Sequence, residues 1–133
     1  MGIEKGRLTL VEISERLLAQ RLRNRIMEVL SIYSTDEDWE YLGPDEVINQ
    51  WEDFVDEARM TIYIEPAFAK QEQANLRAFH NLWTEYCNST PKNMPPFREI
   101  KATSEWQSLK AEAVRLLEIF ELRGSLNEEI EIT

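Results

Sequence analysis

Apolar side chains recur at three-, four- and seven-residue steps along most of this chain. At about 100° per residue, such steps place the side chains on one side of an α-helix. Thr9 and Glu12 have the spacing of a capping box, in which each side chain bonds the other's exposed backbone N–H. The pattern therefore predicts a first helix from Leu10 to Tyr33. Its apolar stripe consists of Val11, Leu18, Leu22, Ile26, Val29, Leu30 and Tyr33.

Three further stripes predict three further helices. A proline at the first helical position, where a missing N–H costs nothing, indicates helices over Pro44–Arg59 and Pro66–Cys87. A second capping box, Ser104 with Gln107, begins the fourth helix, which Gly124 ends. The side chains predicted to face inward from these helices are Val47, Ile48, Trp51, Phe54, Val55, Ala58, Phe68, Ala69, Leu76, Phe79, Trp83, Tyr86, Trp106, Leu109, Ala113, Leu116, Leu117 and Phe120.

The segments between the stripes are predicted to be short turns and loops. Ser34–Gly43 is acidic and favours a single helical turn that carries Trp39. Asn88–Ala102 contains three prolines, which donate no backbone hydrogen bond, and it is predicted to be the longest loop. Residues 125–133 are predicted to form a flexible acidic tail.

Met60–Ile64 is rich in β-branched and aromatic residues, but five residues do not distinguish a strand from the end of a buried helix. If this segment is extended, Ile130 and Ile132 can pair with it as a minor β-ribbon. Four amphipathic helices bury their apolar stripes most simply against one another. The sequence therefore predicts an all-α fold, a bundle of about four helices that forms one domain over residues 1–133, with at most a short β-ribbon.

The charge balance argues against nucleic acid and membrane partners. Fifteen Lys and Arg against 25 Asp and Glu give the 133-residue chain a formal charge of −10, and its field repels phosphate backbones and anionic lipids. No apolar run approaches the roughly 20 residues that span a bilayer, and Met1–Arg7 lacks the apolar region of a signal peptide. A single cysteine, Cys87, excludes an intramolecular disulfide. We therefore expect a cytoplasmic protein.

The residues that most often carry enzyme chemistry are scarce. His80 is the only histidine, and Cys87 lies two helical turns further along the predicted third helix, about 10 Å away by helical rise. A nucleophilic dyad needs contact at roughly 3 Å, so we predict no catalytic pair and no cofactor. Both residues flank an apolar stripe and are predicted to lie at the edge of the core.

Carboxylates, in contrast, are concentrated in one part of the chain. Residues 34–58 contain no Lys or Arg, whereas residues 1–33 carry six basic and four acidic residues, a net charge of +2, which leaves −12 for the rest. Acidic pairs four residues apart, such as Glu52 with Asp56, destabilise an isolated helix. The carboxylates of this run are Asp36, Glu37, Asp38, Glu40, Asp45, Glu46, Glu52, Asp53, Asp56 and Glu57.

Three things can offset this repulsion. Solvent and salt are the first. The second is the set of arginines predicted on the outer side of the first helix, namely Arg16, Arg21, Arg23 and Arg25. The third is a positively charged partner protein, whose rate of encounter such a field would raise.

Two aromatic residues within the acidic run favour the partner. Trp39 and Tyr41 are of the types in which binding energy concentrates, although Trp39 can instead close the end of the bundle. The sequence therefore predicts a non-enzymatic protein–protein interaction module, of an inhibitor or antidote (immunity-like) or regulatory type, with a basic partner; a mimic of DNA belongs to the same class. Self-association is a further expectation. The predicted partner-binding residues are Asp36, Glu37, Asp38, Trp39, Glu40, Tyr41, Asp45, Glu52, Asp53, Asp56 and Glu57.

The same carboxylates support an alternative. Glu37 and Glu40, followed by Asp53 and Asp56, form two acidic pairs with a spacing of three. This pattern loosely resembles the motifs with which all-α nucleotide pyrophosphohydrolases of the MazG type hold magnesium. The resemblance covers about twenty residues, and the second pair uses aspartate where that family begins with glutamate. It implies a Mg²⁺-dependent nucleotide hydrolase in which these four residues are the metal ligands.

Overall fold

The computed structural model describes residues 13–89 and 95–133. Within these ranges the chain is helical and contains no strand, so the all-α prediction is confirmed. None of the described helices is both long and apolar enough to cross a membrane. The helices are α1 (Glu15–Tyr33), α2 (Asp36–Leu42), α3 (Pro44–Glu52), α4 (Glu57–Met60), α5 (Lys70–Ser89), α6 (Phe97–Ile100) and α7 (Ser104–Glu121).

Helix α1 begins later than the sequence predicted. Ser14 is extended, and its Oγ accepts a hydrogen bond from the N–H of Leu17 at 3.0 Å, which caps the helix. The capping box of Thr9 and Glu12 lies outside the described residues. The end of the helix at Tyr33 is as predicted.

The predicted helix over Pro44–Arg59 is wrong, because the chain forms two helices there. Helix α3 ends at Glu52 and α4 begins at Glu57. Between them Asp56 is extended, and its carboxylate accepts from the N–H of Arg59 at 2.7 Å and pairs with the Arg59 guanidinium at 2.5 Å. An aspartate can accept hydrogen bonds from exposed backbone N–H groups when it caps a helix, but not inside one. Because the helix is interrupted here, the two members of each acidic pair that was predicted to repel within one helix lie in separate segments.

The segment that follows is neither a strand nor the start of the third helix. Residues 61–69 form successive turns, with Tyr63 and Phe68 stacked in the core at a centroid distance of 4.5 Å. Pro66 follows a cis peptide bond, and α5 begins only at Lys70. The minor β-ribbon is therefore absent from the described residues.

The other end of the chain also differs from prediction in detail. The predicted loop over Asn88–Ala102 contains the short helix α6, and its residues 90–94 lie outside the described ranges. Thr103 caps α7, because its hydroxyl accepts from the N–H of Trp106 at 3.2 Å. Helix α7 packs against both α5 and α1 and so links the two longest helices.

One apolar core joins these helices. Trp39 and Trp106, both fully buried, lie 3.9 Å apart by ring centroid, and Phe97 stacks on Trp39 at 5.4 Å. Trp39 thus closes one end of the core, where it contacts α6 and α7. Aromatic pairs of this kind add stability beyond the area they bury.

Residues 125–133, predicted to be a flexible tail, make specific contacts with α1. The Gln20 amide donates to the carbonyls of Asn127 and Ile130 at 2.8 and 2.9 Å and accepts from the N–H of Ile132 at 2.9 Å. Asn24 both donates to the Leu126 carbonyl and accepts from its N–H. Two buried amides of α1 therefore hold the backbone of this segment.

A buried ion cluster joins the middle of α1 to the start of α5 and the end of α7. Glu72 is 2% exposed and lies between Arg23 of α1, at 2.8 Å, and Arg123 after α7, at 2.7 Å. Arg23 was predicted on the outer side of the first helix, but it is fully buried. Burial opposes ionisation of Glu72, yet the hydrogen bonds from Arg123 and Arg23 outweigh it and lower the pKa of this carboxyl.

We expect Glu72→Gln to lower the free energy of unfolding by about 3 kcal/mol, because it leaves the Arg23 guanidinium buried without a counter-charge. Urea denaturation measures this change. Glu118→Gln, at an exposed position of the same chain, is the matched control and should shift stability by no more than about 0.5 kcal/mol. Equal stability of the two variants would contradict a structural role for the cluster.

Candidate partner-binding surface

Helix α3 has one buried and one acidic face. Val47, Ile48 and Trp51 are buried, and at about 100° per residue they occupy one side of the helix. Apart from the half-buried Pro44 and Gln50, the remaining positions are exposed and, with Asp53 directly after the helix, lie within about a third of a turn on the other side. These outward residues are Asp45, Glu46, Asn49, Glu52 and Asp53.

Four carboxylates of the acidic run are paired with bases from elsewhere. Two contacts join α2 to residues more than 60 positions later in the chain: Asp36 binds Lys110 at 2.9 Å and Glu40 binds Lys101 at 3.3 Å. Bases from other parts of the chain therefore neutralise some carboxylates of this run, although residues 34–58 contain no Lys or Arg. These pairs are largely exposed and contribute little stability. The other two pairs are Asp56 with Arg59 and Glu57 with Arg77.

The remaining carboxylates stay unneutralised in the described ranges. Glu37, Asp45, Glu46, Glu52 and Asp53 are exposed, and no ion pair joins them to any residue that the structure describes. The side chain of Asp38 lies outside the described part. Four of the five lie on the outer face of α3 or directly after its end, so the unpaired negative charge of the acidic run is concentrated there.

The arginines of α1 do not neutralise this face. Arg23 is committed to Glu72, and Arg25 pairs with Glu128 at 2.6 Å and with Glu28 at 3.2 Å. Arg21 donates to the Glu128 carbonyl at 2.7 Å. The sequence analysis gave these arginines as one possible source of positive charge for the acidic run. In the structure they bind Glu72 and the carboxyl-terminal segment instead.

The two aromatic residues of the acidic run have opposite environments. Trp39 is fully buried, so its assignment to the partner-binding set is wrong: a short helix with the pattern of α2 turns this ring into the core. Tyr41 is 89% exposed and Leu42 is 39% exposed. Tyr41 is therefore the exposed aromatic side chain of the acidic run.

The carboxylates of the alternative magnesium site are not gathered together. Glu40 is bound to Lys101, and Asp56 caps α4 and binds Arg59. Among residues 13–89 and 95–133, no group of three or more His, Cys, Asp or Glu side chains is arranged to hold a metal ion. The residues of the two acidic pairs therefore do not fit the Mg²⁺ that the resemblance implies.

His80 fixes the inner face of α3 to α5. The indole N–H of Trp51 donates to His80 Nδ1 at 3.1 Å, so the neutral imidazole carries its proton on Nε2, which lies 3.9 Å from the Glu57 carboxylate. Burial lowers the pKa of His80, and the negative charge of Glu57 opposes this effect. Sequence spacing gave no signal for this bond, because its two residues are 29 positions apart.

Cys87, on the same helix, is a thiol that stays protonated at neutral pH. Burial, followed by the negative charge of Glu52, raises the pKa of Cys87 to about 11. A cysteine nucleophile needs a lowered pKa, and the environment here shifts it the other way.

Comparisons with protein families, with characterised proteins and with solved structures find no match for this chain.

We expect the protein to lose stability as the pH falls below about 6.5, the ordinary pKa of histidine. The unfolded chain binds this proton more readily than the folded one, because the pKa of His80 is lowered on folding, so stability is complete above that pH and declines below it. Melting temperatures between pH 8 and pH 5.5 measure the effect. His80→Gln keeps an acceptor for Trp51 but does not titrate, and its melting temperature should depend less on pH. Parallel curves for the two proteins would contradict this role of His80.

Proposed function

We propose that this protein is a non-enzymatic interaction module that binds a basic protein through the outer face of α3. The observation that carries the proposal is the set of exposed carboxylates on that face, Asp45, Glu46, Glu52 and Asp53, which no base of the described residues neutralises. A field of one sign raises the rate of encounter with an oppositely charged partner.

Tyr41 supplies the second part of the proposed contact. It is 89% exposed on α2 and precedes the start of α3 at Pro44 by three residues. Tyrosine buries a large apolar area at low entropic cost and keeps a polar tip, which is why it is enriched among residues that dominate binding energy. Charge then attracts the partner and the aromatic ring anchors it.

The proposed surface contains fewer residues than the partner-binding set predicted from the sequence. Trp39 is omitted because it is buried, and Asp56 because it caps α4. Asp36, Glu40 and Glu57 already have basic partners within the chain and form the periphery. An inhibitor or antidote of a basic enzyme and a regulator of a basic protein are both consistent with this surface, and we propose a cytoplasmic setting for either.

The experiment is site-specific crosslinking. A photoreactive phenylalanine analogue at position 41 should capture a basic protein in the native host, and Glu46→Lys with Glu52→Lys should reduce capture at least tenfold, because two attractive charges become repulsive. Capture should also fall as salt rises, since screening weakens contacts between exposed charges.

The matched control is Glu118→Lys with Glu131→Lys, which changes the net charge equally at exposed positions outside the surface. It should leave capture unchanged. An equal loss of capture in both double variants would mean that only the total charge of the protein matters. Unchanged capture in both double variants would contradict the proposal.

A further inference from the structure

Helix α1 binds residues 125–133 mainly through their backbone. Gln20 makes three hydrogen bonds to backbone groups of this segment, Asn24 makes two, and Arg21 makes one. Gln20 is fully buried and Asn24 is 6% exposed. Backbone groups are alike at every position of a peptide, so contacts of this kind supply affinity with little dependence on the peptide's sequence.

One side chain of the segment is recognised as well. The Glu128 carboxylate accepts from the Arg25 guanidinium at 2.6 Å and from the Asn24 amide at 2.8 Å. A charge-assisted contact at one position fixes the register of the segment on the helix. Helix α1 therefore carries a site for a non-helical peptide with one carboxylate, here called the α1 site, which consists of Gln20, Arg21, Asn24 and Arg25.

The segment fits its own chain incompletely. A cleft of about 400 Å³ remains between α1, the end of α7 and the segment, where Arg25, Leu117 and Leu126 line it. Arg25 Nε is shielded from solvent but has no hydrogen-bond partner among the described residues. Leu122 and Ile130 are 76% and 68% exposed. Close-packed protein leaves neither such a gap nor such an unpaired donor, so the segment is held less firmly than the core.

The segment is attached to the core through one glycine. Arg23 donates to the Gly124 carbonyl at 2.7 Å, and the neighbouring Arg123 pairs with Glu72 at 2.7 Å, which fixes the chain as far as this point. Beyond it, every hydrogen bond that the structure describes between residues 125–133 and the rest of the chain goes to α1. Gly124 has a φ of 76°, and glycine has the widest choice of backbone conformations. The segment can therefore change direction at Gly124 while the core stays intact.

We propose that the α1 site is an interface between two copies of this chain, in which residues 125–133 of one copy bind α1 of the other. A second copy is the occupant whose chemistry the structure shows to fit, because it carries the same segment with Glu128 in the same register. The exchanged pair keeps every hydrogen bond of the α1 site, since the same groups meet.

The balance between the two arrangements depends on the hinge. A segment tethered by a short linker competes at an effective concentration in roughly the millimolar range, which favours the closed monomer. Exchange brings the two hinges together, because each segment must reach from its own hinge to the partner's α1. Leu122, which lies two residues before Gly124 and is 76% exposed, is then covered, and burial of its apolar surface favours the pair.

The α1 site is independent of the surface proposed for a basic partner. That surface lies on α3 and at Tyr41, and it shares no residue with the α1 site. Each proposal can therefore fail while the other holds.

The test mixes two complementary variants. Arg25→Glu brings two carboxylates together and Glu128→Arg brings two guanidinium groups together, so neither variant can form the ion pair within its chain or with its own kind. In an equimolar mixture both pairs form when the segments are exchanged, once in the native sense and once with the charges reversed. We expect analytical ultracentrifugation to show a heterodimer whose Kd is at least tenfold lower than that for either variant with itself. A mixture that sediments as two monomers would overturn the proposal.

Two controls separate exchange from a general effect of charge. The double variant Arg25→Glu with Glu128→Arg restores the pair within one chain and should sediment as the unmodified protein does. A mixture of Arg16→Glu with Glu131→Arg changes the charge equally at exposed positions of α1 and of the segment, and it should remain monomeric. Equal association of this control mixture would contradict exchange at the α1 site.

A measurement on the unmodified protein keeps the test decisive where a variant fails to fold. A free peptide with the sequence of residues 125–133, added at roughly millimolar concentration to match the tethered segment, should displace that segment. The amide signals of Leu126 and Ile132 in the ¹⁵N-labelled protein should then shift saturably towards random-coil values. The peptide with Glu128→Arg should bind at least tenfold more weakly. Unshifted amides, or equal binding of the two peptides, would show that the α1 site does not accept a segment from another molecule.

Discussion

The fold depends on one buried carboxylate, Glu72, and the two arginines that hold it. Arg23 reaches Glu72 from α1 and also donates to the carbonyls of Phe120 and Gly124, at 3.0 and 2.7 Å, where α7 ends. Glu72 accepts in addition from the N–H of Ala69 ahead of α5. A buried ion pair is tolerated only when its remaining hydrogen-bonding groups are also satisfied. Here they are satisfied by the ends of helices, so the cluster fixes where α5 begins and α7 stops relative to α1.

This arrangement determines the electrostatics of the surface. Gly124 accepts from Arg23 and has a positive φ of 76°, and the chain beyond it runs onto α1, where Gln20, Arg21 and Arg25 bind it. Three arginines of α1, Arg21, Arg23 and Arg25, are thereby bound within the molecule. The carboxylates of α2 and α3 contact only a few peripheral bases and solvent. The excess of negative charge seen in the sequence therefore persists on the outer face of α3.

Local patterns predicted the core well and the polar contacts poorly. The apolar stripes placed Trp51, Leu109 and Phe120 inside, where each is fully buried, because periodicity reports burial directly. The same method predicted Arg23 on the outer side of the helix. Its partner Glu72 is 49 residues away, so no pattern among neighbouring positions indicates the ion pair. The break at Asp56 was missed for a related reason: the apolar stripe continues through it, and only the capping bond to Arg59 shows that the helix has ended.

Helix α3 shows how a repulsive face can be maintained. Nine residues are too few for a stable isolated helix, and carboxylates on one side weaken it further. Its stability therefore comes from the inner face, where Val47 and Ile48 pack in the core, Tyr33 donates to the Ile48 carbonyl at 2.9 Å, and Trp51 is held by His80. Because the contacts of the inner face stabilise the helix, the charges on its outer face are not needed for folding. Their removal should then change the stability of the protein little, so the proposed binding can be tested separately from folding in this helix.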